Sequence, residues 1–291
     1  MVFFDEFTTE LLFAPVHVPP ALPSTGHLWA IKTVETRFPG FKNIPVELGT
    51  PEERSVSSRN FGYGGRISTT LSGVDASLSA YHGPDKDQLF VPFSITIQEN
   101  QPVLFMQPES FVVDYMGFDV ALTHGDFVFQ MEGAFSPNRR GIVSQNSGIP
   151  PYDTRNSRFY ACSIGFNYFI PMHHLISGHA GESLFTAEWY LSRYDDNDIN
   201  RPLFSDFLTL RYQDGFFDDR LKVSMTQLLA ARHKGMVWWP KIGYDFHNGF
   251  EMELAYLAIY GRGSGDFSRD SLFYYYRDND FIMLNFWYKI P

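Results

Sequence analysis

Eight charged residues recur inside strand-like stretches whose alternate positions are apolar: Arg66, Glu132, Glu188, Arg211, Lys222, Lys241, Glu251 and Glu253. Successive side chains of a strand point to opposite faces, so each charge shares a face with its polar neighbours two residues away. Where such a face lines a passage, charges of both signs create a transverse field that orders solutes at a constriction. Where the passage is closed, the same charges pair across strands and fill it. The residues alone leave both outcomes open.

Other candidate chemistry is thinner. His173, His174 and His179 could ligate a metal, but their spacing matches no standard zinc pattern and they fall in a connection. They are expected to be exposed loop histidines. Asp195-Asp196-Asn197-Asp198-Ile199-Asn200 resembles the start of a calcium loop. It lacks the glycine at the sixth position, where Arg201 sits, and the glutamate at the twelfth, where Phe207 sits, counting from Asp196. An acidic solvated loop is expected, with weak divalent-ion binding that bridges lipopolysaccharide as the other reading. A hydrolase needs a nucleophile beside a positioned histidine. His82, His124, His233 and His247 sit at strand ends without such a neighbour, Gly-x-Ser-x-Gly is absent, and Ser264-Gly265-Asp266 is a loop triplet. Gly62-x-Gly64-Gly65 is followed by no helix and is no phosphate loop. The chain is therefore not expected to be an enzyme, and no cofactor or metal is expected.

The elements that must position the charges are strands. Phe281 to Ile290 shows the pattern most clearly: Ile282, Leu284, Phe286, Tyr288 and Ile290 alternate with Met283, Asn285, Trp287 and Lys289. The same alternation sets Phe127, Phe129, Met131 and Phe135 against Gln130, Glu132 and Ala134, and Phe250, Met252 and Leu254 against Glu251 and Glu253. About twelve strands are expected, at 4–14, 60–71, 75–82, 109–122, 127–135, 156–169, 184–194, 203–213, 220–231, 236–246, 250–261 and 280–290, an even number as bacterial barrels prefer. Val113 and Tyr115 share one parity whereas Phe118, Val120 and Leu122 share the other, which predicts a bulge near Met116-Gly117.

Connections are of two kinds. Short ones (Ser72-Gly73-Val74-Asp75, His124-Gly125-Asp126, Asp214-Gly215, His247-Asn248-Gly249) carry hairpin chemistry. Long ones, at about 15–58, 83–107, 136–154, 195–202 and 262–279, nearly alternate with them. Outer-membrane barrels sort their loops this way, with short periplasmic turns and long extracellular loops. Two connections break the rule: Arg232 to Gly235 is short on the long side, and Ile170 to Ser183 is long on the short side. Loop 83–107 contains Phe90-Val91-Pro92-Phe93-Ser94-Ile95-Thr96-Ile97, apolar enough to pack inside a barrel.

Composition agrees. Aromatic residues make up 17%, with 29 Phe and 16 Tyr, while charged residues are 19%, below the typical level of about 25%. Mean hydropathy is −0.20, and no apolar run is long enough for a transmembrane helix. The single cysteine, Cys162, rules out an internal disulfide. A net charge of −10 argues against nucleic-acid binding. Met1-Val2-Phe3-Phe4-Asp5 has none of the features of a signal peptide, so either a mature form or a chain without its N-terminal part is expected.

Two stretches carry a family resemblance. Leu11-Leu12-Phe13-Ala14-Pro15 leads to Pro19-Pro20-Ala21-Leu22-Pro23 and Gly26-His27-Leu28-Trp29. Arg59-Asn60-Phe61-Gly62-Tyr63-Gly64-Gly65-Arg66 precedes Gly73-Val74-Asp75-Ala76-Ser77-Leu78-Ser79-Ala80-Tyr81-His82-Gly83. Together with the terminal strand they resemble the porin-like outer-membrane β-barrels of Gram-negative bacteria. That resemblance implies that further strands precede this point, making the chain the C-terminal portion of a larger barrel. One departure is the ending on Ile290-Pro291 instead of an aromatic residue, which bears on recognition by the barrel-assembly machinery.

The expectation is an all-β fold: an antiparallel transmembrane β-barrel of one domain, 1–291, with the long loops extracellular. Its function would be a porin-like channel for passive passage of small solutes, located in the bacterial outer membrane, with lipid, lipopolysaccharide, small solutes and the barrel-assembly machinery as partners. The eight charges would line the pore. A plugged structural or docking barrel and a soluble all-β carbohydrate-binding protein are the alternatives.

Overall fold

The computed structural model describes residues 2–4, 7–15, 33–35, 43–50, 61–143, 151–172, 179, 181–200, 205–230, 235–246, 249–262, 273 and 276–288. The fold is all-β. A thirteen-stranded antiparallel sheet contains twelve long strands and a short first one. In order across the sheet these are β1 (Val2–Phe4), β2 (Phe7–Ala14), β5 (Gly62–Leu71), β6 (Val74–Pro84), β9 (Val112–His124), β10 (Phe127–Ile142), β11 (Thr154–Ile170), β12 (Ser183–Tyr194), β13 (Asp206–Phe216), β14 (Leu221–Ala230), β15 (Gly235–Asp245), β16 (Phe250–Gly261) and β17 (Phe281–Tyr288). Among the described residues β1 and β17 do not pair with each other, so the sheet has two edges.

The remaining strands, β3 (Thr33–Glu35), β4 (Asn43–Leu48), β7 (Leu89–Gln98) and β8 (Gln101–Glu109), form a four-stranded sheet. They lie within segments read from sequence as loops 15–58 and 83–107. The β7–β8 hairpin turns at Glu99 and Asn100, both at positive φ, and β4 joins β8 in parallel. Ile44, Val46, Leu104 and Met106 form the buried core of this sheet, with Leu48, Phe90 and Ile95 packed against it. The small sheet sits at the rim defined by Ala14, Pro84, Ile142, Tyr194 and Gly261, here termed the upper rim.

The twelve long strands match those read from the sequence, for the reason given there: one face must be apolar. The register makes this explicit. Ile67, Leu78, Phe118, Gly133, Cys162 and Leu191 form one rung across six strands. The next rung is Ser68, Ser77, Asp119, Glu132, Ser163 and Tyr190. In the first rung the Phe118 ring lies where a Cβ of Gly133 would stand, an aromatic covering a strand glycine. Large apolar side chains of that face are exposed: Leu78 69%, Phe129 49%, Leu254 45% and Phe286 56%. They do not meet in a dry centre.

Two local expectations are corrected. The register runs unbroken through Met116-Gly117 on both sides of β9, so there is no bulge there. Val113 and Tyr115 instead face with Asp119, and Val113 is fully buried where the rim segments cover that face. The irregularity lies in β10, between Ser136 and Arg139. Asp214-Gly215 is not a turn but the end of β13; the chain reverses at Phe217, Asp218 and Asp219, all at positive φ. Ser72 and Gly73 do form the expected tight turn, at φ 49° and 82°, the left-handed pair such hairpins need.

Candidate functional site

The pleat period of two, carried through the ladder, decides which charges share a face. Arg66 aligns with Ser79 and Gly117, two rungs from Ser77 and Asp119 and on the same face. Glu188 aligns with Thr209, Arg211 with Thr226, and Lys222 with Gly243 and Glu253. Lys241 aligns with Ser224, and Glu251 with Asp245. All eight charges singled out from the sequence therefore lie on one face of the sheet, opposite the exposed apolar face. The ladder also spreads them from β5 to β16, so they form a lined surface and not one cluster.

Along this face the signs are grouped. Acidic residues dominate β6 to β12: Asp75, Asp119, Glu132 and Glu188. Basic residues follow on β13 to β15: Arg211, Lys222 and Lys241. Glu251 and Glu253 restore negative charge on β16. Asp119 was not among the sequence-derived candidates, although its place between Phe118 and Val120 carried the same signal.

Local contacts tune these groups. Arg66 Nη2 is 2.8 Å from Asp119 Oδ1. Ser163 Oγ donates to Glu188 at 2.9 Å, and Asn285 Nδ2 donates to Glu253 at 3.2 Å. Lys241 Nζ lies 3.9 Å from Glu253 and 4.0 Å from the Trp239 ring centre, a cation–π contact. Arg211 donates to the Gln213 amide oxygen. A cleft of about 630 Å³ near the lower ends of β14 to β17 brings together Lys222, Lys241, Glu251 and Glu253 with Trp287. The oppositely charged groups there stay partly hydrated, so their pairing is weak.

The upper end of the same face is filled. Phe159 is 2% exposed and Ser136 fully buried. Arg139, on β10 just past the irregularity, pairs with Asp85 at 3.2 Å and Asp87 at 2.7 Å. Its guanidinium lies 4.3 Å from the Phe159 ring centre, and Tyr115 Oη donates to Asp85 at 3.1 Å. Asp85 and Asp87 belong to the segment that leaves β6 for the small sheet, so this cluster fastens the small sheet to the large one. Tyr152 N also donates to Pro92 O, at 3.1 Å.

The other sequence candidates separate. His173 and His174 lie outside the described residues. His179 is not an exposed loop histidine: its side chain is 2% exposed and pairs, at 3.0 Å, with Asp214, whose side chain is fully buried. Asp214 also accepts from Tyr212 Oη at 2.9 Å and from the Gly215 N–H at 2.8 Å. This pair lies on the apolar face near the lower rim, and covering a buried carboxylate there gives the 170–183 connection a reason to be long. In the acidic segment, the Asp198 N–H and the Arg155 guanidinium hold the Asp196 carboxyl below its ordinary range. Arg155 Nη1 is 2.9 Å from Asp196 Oδ2, so that carboxylate is engaged by protein donors. Among the described residues no group of three or more His, Cys, Asp or Glu side chains is arranged to hold a metal.

No protein-family model matches the sequence, and no curated protein matches it.

Proposed function

We propose that the chain is a porin-like outer-membrane barrel whose polar face lines a passage for small solutes and whose apolar face meets lipid. The observation that carries this reading is the two-faced sheet: twelve long strands keep large apolar side chains exposed on one side and mixed charges on the other. In water such an exposed surface is costly, because burying apolar area is worth about 25 cal/mol per Å² and large exposed patches mark interaction surfaces. In hydrocarbon it is the required arrangement. No helix among the described residues is long and apolar enough to cross a membrane, which leaves crossing by strands untouched.

The lining would act through grouped charge. The acidic stretch on β6 to β12 and the basic stretch on β13 to β15 would produce a field across the passage, with Glu251, Glu253 and Lys241 facing solutes near the lower rim. Planar-bilayer recordings test this. Glu251→Gln with Glu253→Gln is expected to shift the reversal potential toward anions, and Lys241→Gln toward cations. Unchanged reversal potentials in both variants would remove these residues from the lining.

One observation favours a plugged structural or docking barrel instead. The upper part of the polar face is buried beneath segments joined to the small sheet, and Arg139 is held there by two carboxylates. Absence of conductance from protein that inserts normally would select that reading.

A further inference from the structure

We infer that the upper rim of the apolar face carries a binding site for the phosphate groups of outer-leaflet lipid, formed by Arg140, Arg158 and Arg193. The inference rests on the membrane reading above. Phe135, Tyr160 and Arg193 occupy one rung across β10, β11 and β12. Arg158 stands two residues nearer the rim than Tyr160, on the same face. Arg140 pairs with Asn156, two residues beyond Arg158, again on that face. Neighbouring strands lie about 4.8 Å apart and alternate residues about 7 Å apart, so three guanidinium groups can converge on one or two phosphates.

Arg140 Nε donates to Thr154 Oγ1 at 2.8 Å, and the outer edges of the three guanidinium groups remain accessible to a ligand. Arg158 and Arg140 side chains are 65% and 41% exposed, and Arg193 is exposed with its guanidinium 6.0 Å from the Tyr160 ring centre. The acids beside them are not close partners: Asp195 is 3.9 Å from Arg158 and Glu109 is 3.8 Å from Arg140. Asp114, on the same face of β9, is engaged by His82 at 2.6 Å and by Asn138 at 2.8 Å.

What lies below the arginines selects a lipid. Tyr160 and Phe135 come first, at the level where aromatic residues border a bilayer. Met131 and Ile164 follow, 43% and 49% exposed. A free phosphate could use the arginines but not this apolar surface. A phosphorylated lipid satisfies both, with its phosphate in charge-assisted contact with planar guanidinium groups and its chains along β10 and β11. The two rims differ in this respect. Near the lower rim the one arginine close to this face among the described residues is Arg220, which has the parity of Lys222 on the polar side but brings its guanidinium to 5.2 Å from the Tyr244 ring centre.

The test uses the full chain reconstituted in phosphatidylcholine vesicles containing lipid A with both phosphates, or lipid A with none. Lipid retained by protein extracted from these vesicles in mild detergent is counted by native mass spectrometry. Wild-type protein is expected to retain the phosphorylated form at least ten-fold better. The triple variant Arg140→Gln, Arg158→Gln, Arg193→Gln is expected to lose that preference while keeping its β-sheet circular dichroism and its flotation with vesicles. Equal retention of the two lipids by the wild type, which requires no variant to fold, would overturn the site. So would an unaltered preference in the triple variant, or full displacement by inorganic phosphate at matched concentration. Failure of the wild-type chain to float with vesicles would instead overturn the membrane reading, and this site with it.

Discussion

Arg66 reaches across the width of β6 to hold Asp119 on β9. Its Nε donates to Ser77 Oγ at 2.9 Å, its Nη2 lies 2.8 Å from Asp119 Oδ1, and Ser77 Oγ donates to the same carboxylate oxygen at 2.7 Å. The three residues span three adjacent strands of the polar face. Ser77 is buried, but the two charged side chains are hydrated: Arg66 is 45% and Asp119 39% exposed. Such a pair contributes little to stability, about 0–1 kcal/mol, so its consequence lies in the field it sets. Asp119→Asn leaves the Arg66 charge uncompensated, and the reversal potential in planar bilayers is expected to move toward anion permeation. Arg66→Gln is expected to move it the other way. Identical reversal potentials in wild type and both variants would place the pair outside any conducting path.

The orientation of the sheet is tested on its apolar face. Phe118 and Phe129 are 39% and 49% exposed and lie in the middle of β9 and near the start of β10. An arginine introduced on a lipid-facing strand costs about 2–4 kcal/mol near the bilayer midplane, whereas an exposed position in water usually tolerates substitution within about 0.5 kcal/mol. Phe118→Arg is therefore expected to destabilise the protein by about 2–4 kcal/mol, measured by reversible guanidinium titration in phosphatidylcholine vesicles. Gln130→Arg, three rungs away on the polar face, serves as the control and should change little. Equal, small effects from both would show that the apolar face is not in hydrocarbon.

The fastening of the small sheet rests on a different kind of pair. Arg139 is 13% exposed and Asp85 5% exposed. Removing one partner of a buried ion pair leaves an uncompensated charge and costs about 3–5 kcal/mol. Arg139→Met is expected to destabilise by about that amount and to open the 85–111 segment to added protease. Adding Asp85→Leu to Arg139→Met should recover much of the loss, because both charges are then gone. A protease pattern unaltered by Arg139→Met would mean that the small sheet is held by other contacts, such as Tyr152 N to Pro92 O.

What the sequence disclosed, and what it hid, follows from the range of the interactions involved. Strand period and tight-turn residues act over two to ten residues, so the twelve long strands, the Ser72-Gly73 turn and the face of every candidate charge were readable locally. The sign of side-chain exposure also followed from Phe129, Leu254 and Phe286 once the strands were drawn. Pairing between distant segments leaves no such mark. The parallel contact of Val46 with Leu104 joins two segments that each resemble loop, and this pairing turns 83–107 from a loop into part of a sheet. The parity change in β9 was visible, but its cause was assigned wrongly. Val113 and Tyr115 face the polar side because the rim segments bury them there, not because the strand bulges. His179 was read as exposed because its partner, Asp214, is 35 residues away.

That partner makes His179 the most exacting test of the described fold. The two side chains are 2% and 0% exposed and meet at 3.0 Å, with the Phe216 ring edge-on to the imidazole at 5.2 Å. The Ser183 hydroxyl, Tyr212 Oη and the Gly215 N–H also donate to the Asp214 carboxylate. Without the imidazole they must hold a buried carboxylate between them. His179→Ala is expected to cost about 3–5 kcal/mol, far more than any change at the exposed Arg66–Asp119 pair. Asp214→Asn should be destabilising as well, since it removes the negative charge that faces His179 and puts an amide donor where one of the two carboxylate oxygens accepts. Because the residues touch, the double variant should fall short of the sum of the singles by about 0.5–3 kcal/mol. The measurement is a double-mutant cycle from denaturant unfolding of the detergent-solubilised chain. Strict additivity would show that His179 and Asp214 do not meet, and would remove the physical reason for the long 170–183 connection at the lower rim.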